Sequence, residues 1–121
     1  MAASHLFDGP AEPAAARFLA DERRHLFVAY EGGRPVGFVS GVEMTHPDKG
    51  TEMLLYELAV KEPWRRRIGR ALVERLATTA HAGGCYAMWV ATDEPNAAAL
   101  ATYSGTGGTP ETGQVVFAWT F

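Results

Sequence analysis

The spacing of apolar residues divides this chain into strand-like and helix-like stretches, and the clearest of them is Glu52–Leu76, EMLLYELAVKEPWRRRIGRALVERL. Met53, Leu54, Leu55, Tyr56, Leu58, Ala59 and Val60 form a nearly unbroken apolar run, the pattern of a strand buried on both faces. Pro63 ends it, because proline donates no ladder hydrogen bond and restricts Glu62 before it. Ile68, Ala71, Leu72, Leu76 and Thr79 then recur at helical spacing, and Gly83-Gly84 closes that helix. Upstream, Ala11–Asp21 reads as a short helix with Pro13 in its first turn. His25–Tyr30 and Pro35–Val42 read as two strands joined by the turn Glu31-Gly32-Gly33-Arg34, a hairpin. Thr45–Gly50, THPDKG, is a polar loop. Downstream, Cys85–Thr92 is a second apolar strand, so the central helix sits inside a right-handed βαβ unit. Asn96–Tyr103 is a short helix capped by Asp93 or Asn96, Gly105–Gly108 a turn, and Val115–Phe121 a last strand. Met1–Gly9 has no clear period. The expected class is α+β with a mixed sheet, antiparallel at its start and parallel in its middle.

Composition narrows this picture without changing it. At 121 residues the chain is long enough for one domain, 1–121, with a proper hydrophobic core. The net charge is −3, yet five of the eleven lysines and arginines lie in Arg65–Arg75. The basic character is therefore local. Three arginines at a helix N-terminus repel the partial positive charge already there, and an anion would relieve that cost. Strand, short loop, helix N-terminus and guanidinium groups together describe a phosphate site built on the N–H groups of Arg66–Arg70. The other reading is a solvated basic helix start. One cysteine, Cys85, excludes an internal disulfide and fits a reducing, cytoplasmic location. Neither a signal peptide nor a membrane span is visible. The four histidines and one cysteine lack metal-ligand spacing, so no metal is expected.

This order of elements resembles the GCN5-related N-acetyltransferase (GNAT) superfamily from about Phe7 to Phe121. One signature is a strand ending in valine, Leu58-Ala59-Val60, followed by Arg65-Arg66-Arg67-Ile68-Gly69-Arg70-Ala71-Leu72 in place of R/Q-x-x-G-x-G/A. The other is Asn96, the alanine-rich Ala97–Leu100, Tyr103, Gly105 and Gly107-Gly108. YELAV and the preceding HPDK loop look most like the aminoglycoside 3-N-acetyltransferase branch. The chain departs from the family where Arg67 runs directly into Ile68, as if a glycine were missing. A second register, pairing Arg66 with Gly69 and Ala71, satisfies the same letters but places Glu74 at an apolar position. The family's N-terminal strand and helix are also expected to be missing. The resemblance implies a GNAT-like mixed central sheet with an N-terminal antiparallel hairpin, a central parallel βαβ unit and helices on both faces.

It further implies an acetyl-CoA-dependent N-acetyltransferase moving acetyl by direct attack to a primary amine of a small substrate, plausibly an aminoglycoside in antibiotic resistance. Acetyl-CoA would be held by Leu58, Ala59 and Val60, which would take the pantetheine arm like an added strand, and by Arg65, Arg66, Arg67, Ile68, Gly69, Arg70, Ala71 and Asn96. A backbone N–H near Val60 would face the thioester oxygen. Glu57, the single charge in the apolar strand, is the candidate general base, its pKa expected to rise by burial. Its bland reading is a carboxylate at the sheet edge or paired with an arginine. Tyr103 is the candidate acid for the departing sulfur, or else a tyrosine packed on the core. Glu43, His46 and Asp48 are second choices, as substrate contacts. Cys85, Trp89 and Trp119 read as core residues, and Trp64 as a cover for the phosphate loop. A polyamine or peptide acceptor, and a GNAT-like protein that only binds acetyl-CoA, remain open. A nucleic-acid module using Arg65, Arg66, Arg67, Arg70 and Arg75 is opposed by the acidic remainder of the chain. Neither nucleic acid nor membrane is expected as a partner, and a homodimer supplying a missing edge stays open.

Overall fold

The structure, a computed structural model, describes residues 12–121. The expectations for Met1–Gly9 and for a helix start at Ala11 lie outside the described residues. In chain order the elements are α1 (Glu12–Ala20), β1 (Arg24–Glu31), β2 (Arg34–His46), β3 (Gly50–Val60), α2 (Arg65–Ala82), β4 (Ala87–Trp89) and α3 (Ala97–Gly105). The four strands form one sheet in the order β1-β2-β3-β4, with β1-β2 and β2-β3 antiparallel and β3-β4 parallel. It is the mixed GNAT-like sheet with an antiparallel hairpin and a parallel β3-α2-β4 crossover. Gly32 and Gly33 turn the first hairpin with φ of 56° and 78°. A two-residue turn with both φ positive matches the twist of the strands, and glycine reaches it without strain.

The core lies between α2 and one face of β2 and β3. Val39, Met53 and Leu76 are fully buried there, with Leu55, Leu72 and Val73 beside them. Gly41 makes the close approach of helix and sheet feasible, since a Cβ on it would lie 2.7 Å from Leu76 Cδ1 and 2.9 Å from Met53 Sδ. The buried stripe of α2 is Ile68, Gly69, Leu72, Val73, Leu76 and Ala80, while Ala71 faces solvent. Among the described residues, no helix is long and apolar enough to cross a membrane.

Four expectations are corrected. The loop Thr45–Gly50 shrinks to Pro47–Lys49, because cross-strand pairing continues to His46 opposite Gly50. β3 is not buried on both faces: Tyr56 and Glu57 are exposed. The second apolar strand is three residues long rather than Cys85–Thr92, since its pairing with β3 ends at Leu54 opposite Trp89. Val115–Phe121 forms no strand, and its side chains project into solvent, with Val116 82% and Trp119 75% exposed. A strand exists only where a neighbour takes its backbone hydrogen bonds. Trp89 and Trp119 are therefore not core residues; Trp89 is 45% exposed. Trp64, by contrast, packs against the core, as does Cys85. Burial pushes the Cys85 thiol up, with the Glu43 carboxylate adding to the effect, so it is a packing residue rather than a nucleophile.

Candidate active site

β3 changes face along its length. Ser40 pairs with Glu57 and Gly41 with Leu55, leaving Tyr56 as the extra residue of a bulge. Before the bulge, Met53 and Leu55 point at α2; after it, Leu58 and Val60 do. Strand alternation then puts Glu57 and Ala59 on the opposite face. The Glu57 N–H donates to the Ser40 hydroxyl at 3.2 Å, and that serine is only 5% exposed. No sequence signal marked Ser40, because a lone serine in an apolar strand has no motif. Glu57 itself is exposed, so the burial expected to tune its carboxyl is not present.

The same bulge lies just beyond the last β3-β4 pair. Among the described residues, β3 from Tyr56 to Val60 is paired only with β2, and the side toward β4 is open. Open strand backbone is a ready partner for an extended amide-bearing ligand. At the C-terminal end of this open edge the chain crosses Lys61–Trp64 into α2. Lys61 is anchored by its N–H to the Val36 carbonyl at 2.8 Å. Trp64 occupies the N-cap position without a side-chain cap, and the first turn holds no acidic residue. The first N–H groups of α2 thus keep their partial positive charge for an anion.

The arginines have distinct partners. Arg65 pairs with Glu62 at 2.9 Å and Arg67 with Glu31 at 2.7 Å, all on the surface. Arg70 lies against α3, its guanidinium 2.6 Å from where a Cβ on Gly105 would stand. Arg75 stacks over Phe27 at 4.9 Å. Arg66 makes no ion pair, hydrogen bond or ring contact among the described residues. The basic cluster therefore divides among separate contacts. Glu31 and Glu62 are the residues that sequence reasoning missed; Glu62 stands three residues before Arg65, a local spacing that could have flagged it, while nothing in the sequence ties Glu31 to Arg67.

α3 closes the site from the other side. Asn96 caps it, its side-chain oxygen accepting from the Ala99 N–H at 3.1 Å, so of the two cap candidates it is Asn96 that serves. Gly69 faces Thr102 and Val60, each about a van der Waals contact from a Cβ placed there. Ile68, Gly69, Val60 and the Thr102-Tyr103 turn are thus neighbours. Tyr103 is half-buried against the core, and burial raises its phenol above the ordinary 10.0. A phenol held protonated is equipped to donate a proton.

Val60, Gly69 and the Thr102-Tyr103 turn of α3 are therefore brought together, with Leu58, Ala59 and the rest of Arg65–Ala71 adjoining them along β3 and α2. Glu43, His46 and Asp48 do not join them. Glu43 points to the α2 side and pairs with His25 at 2.6 Å. His46 hydrogen-bonds Glu52 at 3.1 Å near the far hairpin end, opposite Gly50, and Asp48 lies in that turn. Glu57 is seven residue steps along the strand from Gly50, about 23 Å at strand rise.

A sequence model of the acetyltransferase (GNAT) family matches residues 3–107, and the chain belongs to that family. No curated protein matches the sequence at a significant level. Among solved structures, an aminoglycoside acetyltransferase from an uncultured soil metagenomic sample, in complex with trehalose, is 25% identical with a TM-score of 0.84, over 95% of this chain and 77% of that one. Another from an uncultured soil metagenomic sample is 28% identical with a TM-score of 0.79, over 93% and 77% of the two chains. The aminoglycoside N-acetyltransferase AAC(6')-Iy in complex with CoA shares the fold, at 20% identity and a TM-score of 0.82, over 98% and 84%.

Proposed function

We propose that residues 1–121 form a single acetyltransferase domain that transfers acetyl from acetyl-CoA to a primary amine of a small molecule, with an aminoglycoside as the first candidate. The observation that carries this reading is the parting of β3 from β4 beside an uncapped helix N-terminus. An open strand edge and an anion-binding helix start, joined by the short Lys61–Trp64 crossing, suit a ligand with amide groups at one end and a pyrophosphate at the other. Acetyl-CoA supplies the activated thioester. The backbone of Leu58–Val60 would align the pantetheine amides, and the N–H groups of Arg66–Arg70 with the Arg66 guanidinium would hold the pyrophosphate. Arg65 and Arg67 would join once released from Glu62 and Glu31. Tyr103 would protonate the departing sulfur.

Glu57 would serve as the base. Its exposed carboxylate on the open half of β3 draws an ammonium toward the site and accepts its proton, directly or through one water. Exposure favours a role in attraction as much as in proton transfer, which suits a polycationic acceptor. Soil-derived aminoglycoside acetyltransferases of similar fold support the same substrate class, and antibiotic resistance in the cytoplasm would be the biological consequence.

The test is thiol release from acetyl-CoA with a panel of aminoglycosides, polyamines and peptides. Turnover with an aminoglycoside and not with the others is the expected result. Turnover with a polyamine or peptide alone would reassign the acceptor. A second reading, acetyl-CoA binding without catalysis, is favoured by one observation: two of the three loop arginines are already paired to acids. Calorimetric binding of acetyl-CoA with no thiol release on any amine would select it, and absence of binding would end both.

A further inference from the structure

α3 is weakly held for an element that carries a candidate proton donor. Among the described residues, it buries none of its own. Thr102 rests on Gly69, its methyl 3.8 Å from where a Cβ would stand, and Tyr103 is half-buried against the core. The third hold comes from a side chain of α2. The Arg70 guanidinium lies over Gly105, with Nη2, Cζ and Nε 2.6, 2.8 and 3.2 Å from where a Cβ would stand. The φ of Gly105 is not positive. Its backbone conformation is therefore open to any residue, and what calls for glycine is room for the guanidinium.

Charge explains why the side chain goes there. Arg66 and Arg67 stand four and three residues before Arg70, and like charges at those spacings share a helix face and repel. The last turn of α3 holds no basic residue of its own. A helix C-terminus carries partial negative charge, and a cation beside it is stabilising. Among the described residues, no carboxylate pairs with Arg70 to hold it elsewhere. The carbonyls of Thr102, Tyr103 and Ser104 are already taken by Thr106, Gly107 and Gly108. The guanidinium therefore acts on α3 through packing and charge, not as a capping donor.

We propose that Arg70 is a positioning residue: its guanidinium holds the C-terminal end of α3 against α2, and so sets where the Tyr103 phenol stands. Its catalytic consequence rests on the acetyl-transfer reading, in which Tyr103 protonates the departing sulfur. Geometry of this kind matters, because a displacement of about 1 Å can cost a catalytic group most of its effect. The loss is bounded by what the phenol itself contributes.

The experiment compares Gly105→Ala, Arg70→Gln and Tyr103→Phe, and the double variant Gly105→Ala with Tyr103→Phe. A methyl at Gly105 evicts the guanidinium, whose end is free to swing away, and leaves Arg70 in the chain. Alanine favours helix over glycine, so a looser α3 in that variant does not come from lost propensity. Thiol release, acetyl-CoA affinity by calorimetry and hydrogen exchange of the Thr102–Gly108 amides are measured on each. Gly105→Ala and Arg70→Gln should each lower kcat by up to about tenfold, the whole effect expected of Tyr103→Phe. Exchange of the α3 amides should be faster than in the wild type, with KM for the amine and acetyl-CoA affinity unchanged. In the Tyr103→Phe background Gly105→Ala should cost nothing further in kcat, since both changes act through one phenol. An unchanged kcat in Gly105→Ala overturns the proposal, and so do losses that add in the double variant. Weakened acetyl-CoA binding in Arg70→Gln with kcat intact overturns it too, and makes the guanidinium a cofactor contact. A wild-type protein that releases no thiol with any amine ends the acetyl-transfer reading and leaves the hold on α3 to exchange alone: faster exchange in both variants supports it, and unchanged exchange overturns it.

Discussion

The two halves of β3 each set one glutamate among apolar residues, and they meet opposite fates. Gly50–Leu55 is flanked by β2 and, over Glu52–Leu54, by β4, and it buries Met53 and Leu55 almost completely. Among the described residues Tyr56–Val60 is flanked by β2 alone; it begins with a bulge and leaves Tyr56 63% exposed. Apolar content does not separate them; neighbours do. The first half is where the strand holds the fold together, and the second is where, on the proposed function, it would offer backbone and side chains to a ligand. Substitutions in the first half should therefore act on stability, and those around the second on catalysis and binding.

The largest effect is expected in the first half. Met53→Ala removes a fully buried side chain that packs under Leu76 and Gly41. Loss of its transfer free energy, with the cavity left behind, should destabilise the fold by about 2–5 kcal/mol. Denaturant unfolding measures this. A change within about 0.5 kcal/mol, the scale of a surface substitution, would break the contrast between the halves.

Glu57→Gln probes the second half. It keeps size and the backbone bond to Ser40 while removing charge and basicity. The expected loss is about 10²-fold in kcat/KM near neutral pH, the lower end of general-base contributions. KM for the amine should rise and acetyl-CoA affinity hold. The mutant rate should recover at high pH, where free amine comes from solution. Wild-type kcat/KM at neutral pH would remove Glu57 from the chemistry. An unchanged unfolding curve is expected, in contrast to Met53→Ala.

Arg66→Ala tests the helix start. A charge-assisted hydrogen bond is worth about 1.5–3 kcal/mol, roughly 10- to 100-fold in affinity. Acetyl-CoA binding by calorimetry should weaken by that range, while an analogue lacking the pyrophosphate should discriminate less between variant and wild type, and one lacking only the ribose 3′-phosphate should discriminate as acetyl-CoA does. Equal affinity would leave the pyrophosphate to the N–H groups and to Arg65 and Arg67. Tyr103→Phe should lower kcat about tenfold, below the usual general-acid range, because a thiolate is already a fair leaving group. Stability and acetyl-CoA affinity should hold, since the ring that packs on the core is retained. An unchanged kcat would make Tyr103 structural.

The contrast also explains what could be read from the sequence. The first hairpin, the central strand, α2 with its basic start and the Asn96 cap were legible, because each rests on a local signal: period, glycine turn, capping residue, or breaker before a helix. The bulge at Tyr56 was not. It depends on which residue of β2 lies opposite, and it reverses the face of every residue after it, which is how Glu57 comes to be exposed. The ion pair Arg67–Glu31 was invisible for a related reason, since it joins residues far apart in the chain, whereas Arg65–Glu62 is a local pair three residues apart. Val115–Phe121 was misread as a strand of this sheet because alternation declares the preference for a partner but not its presence.

The smallest effect returns to the first half of β3. Glu52 accepts from Tyr86 at 3.0 Å and lies 3.1 Å from the ring nitrogen of His46, so it ties β3 to the hairpin end and to the chain entering β4. The hydrogen bond from His46 is the main reason its carboxyl sits below the ordinary 4.5, with the Tyr86 and Trp89 contacts adding to it. A carboxyl whose folded value is depressed binds fewer protons folded than unfolded. Its contribution is therefore complete above pH 4.5 and is lost as pH falls through the lower folded value. Removing the charge with Glu52→Gln should lower the melting temperature slightly at neutral pH, and the gap to wild type should close in acid. A gap that stays constant across that range would mean the three contacts do not depend on the charge, and that shape alone holds this end of β3.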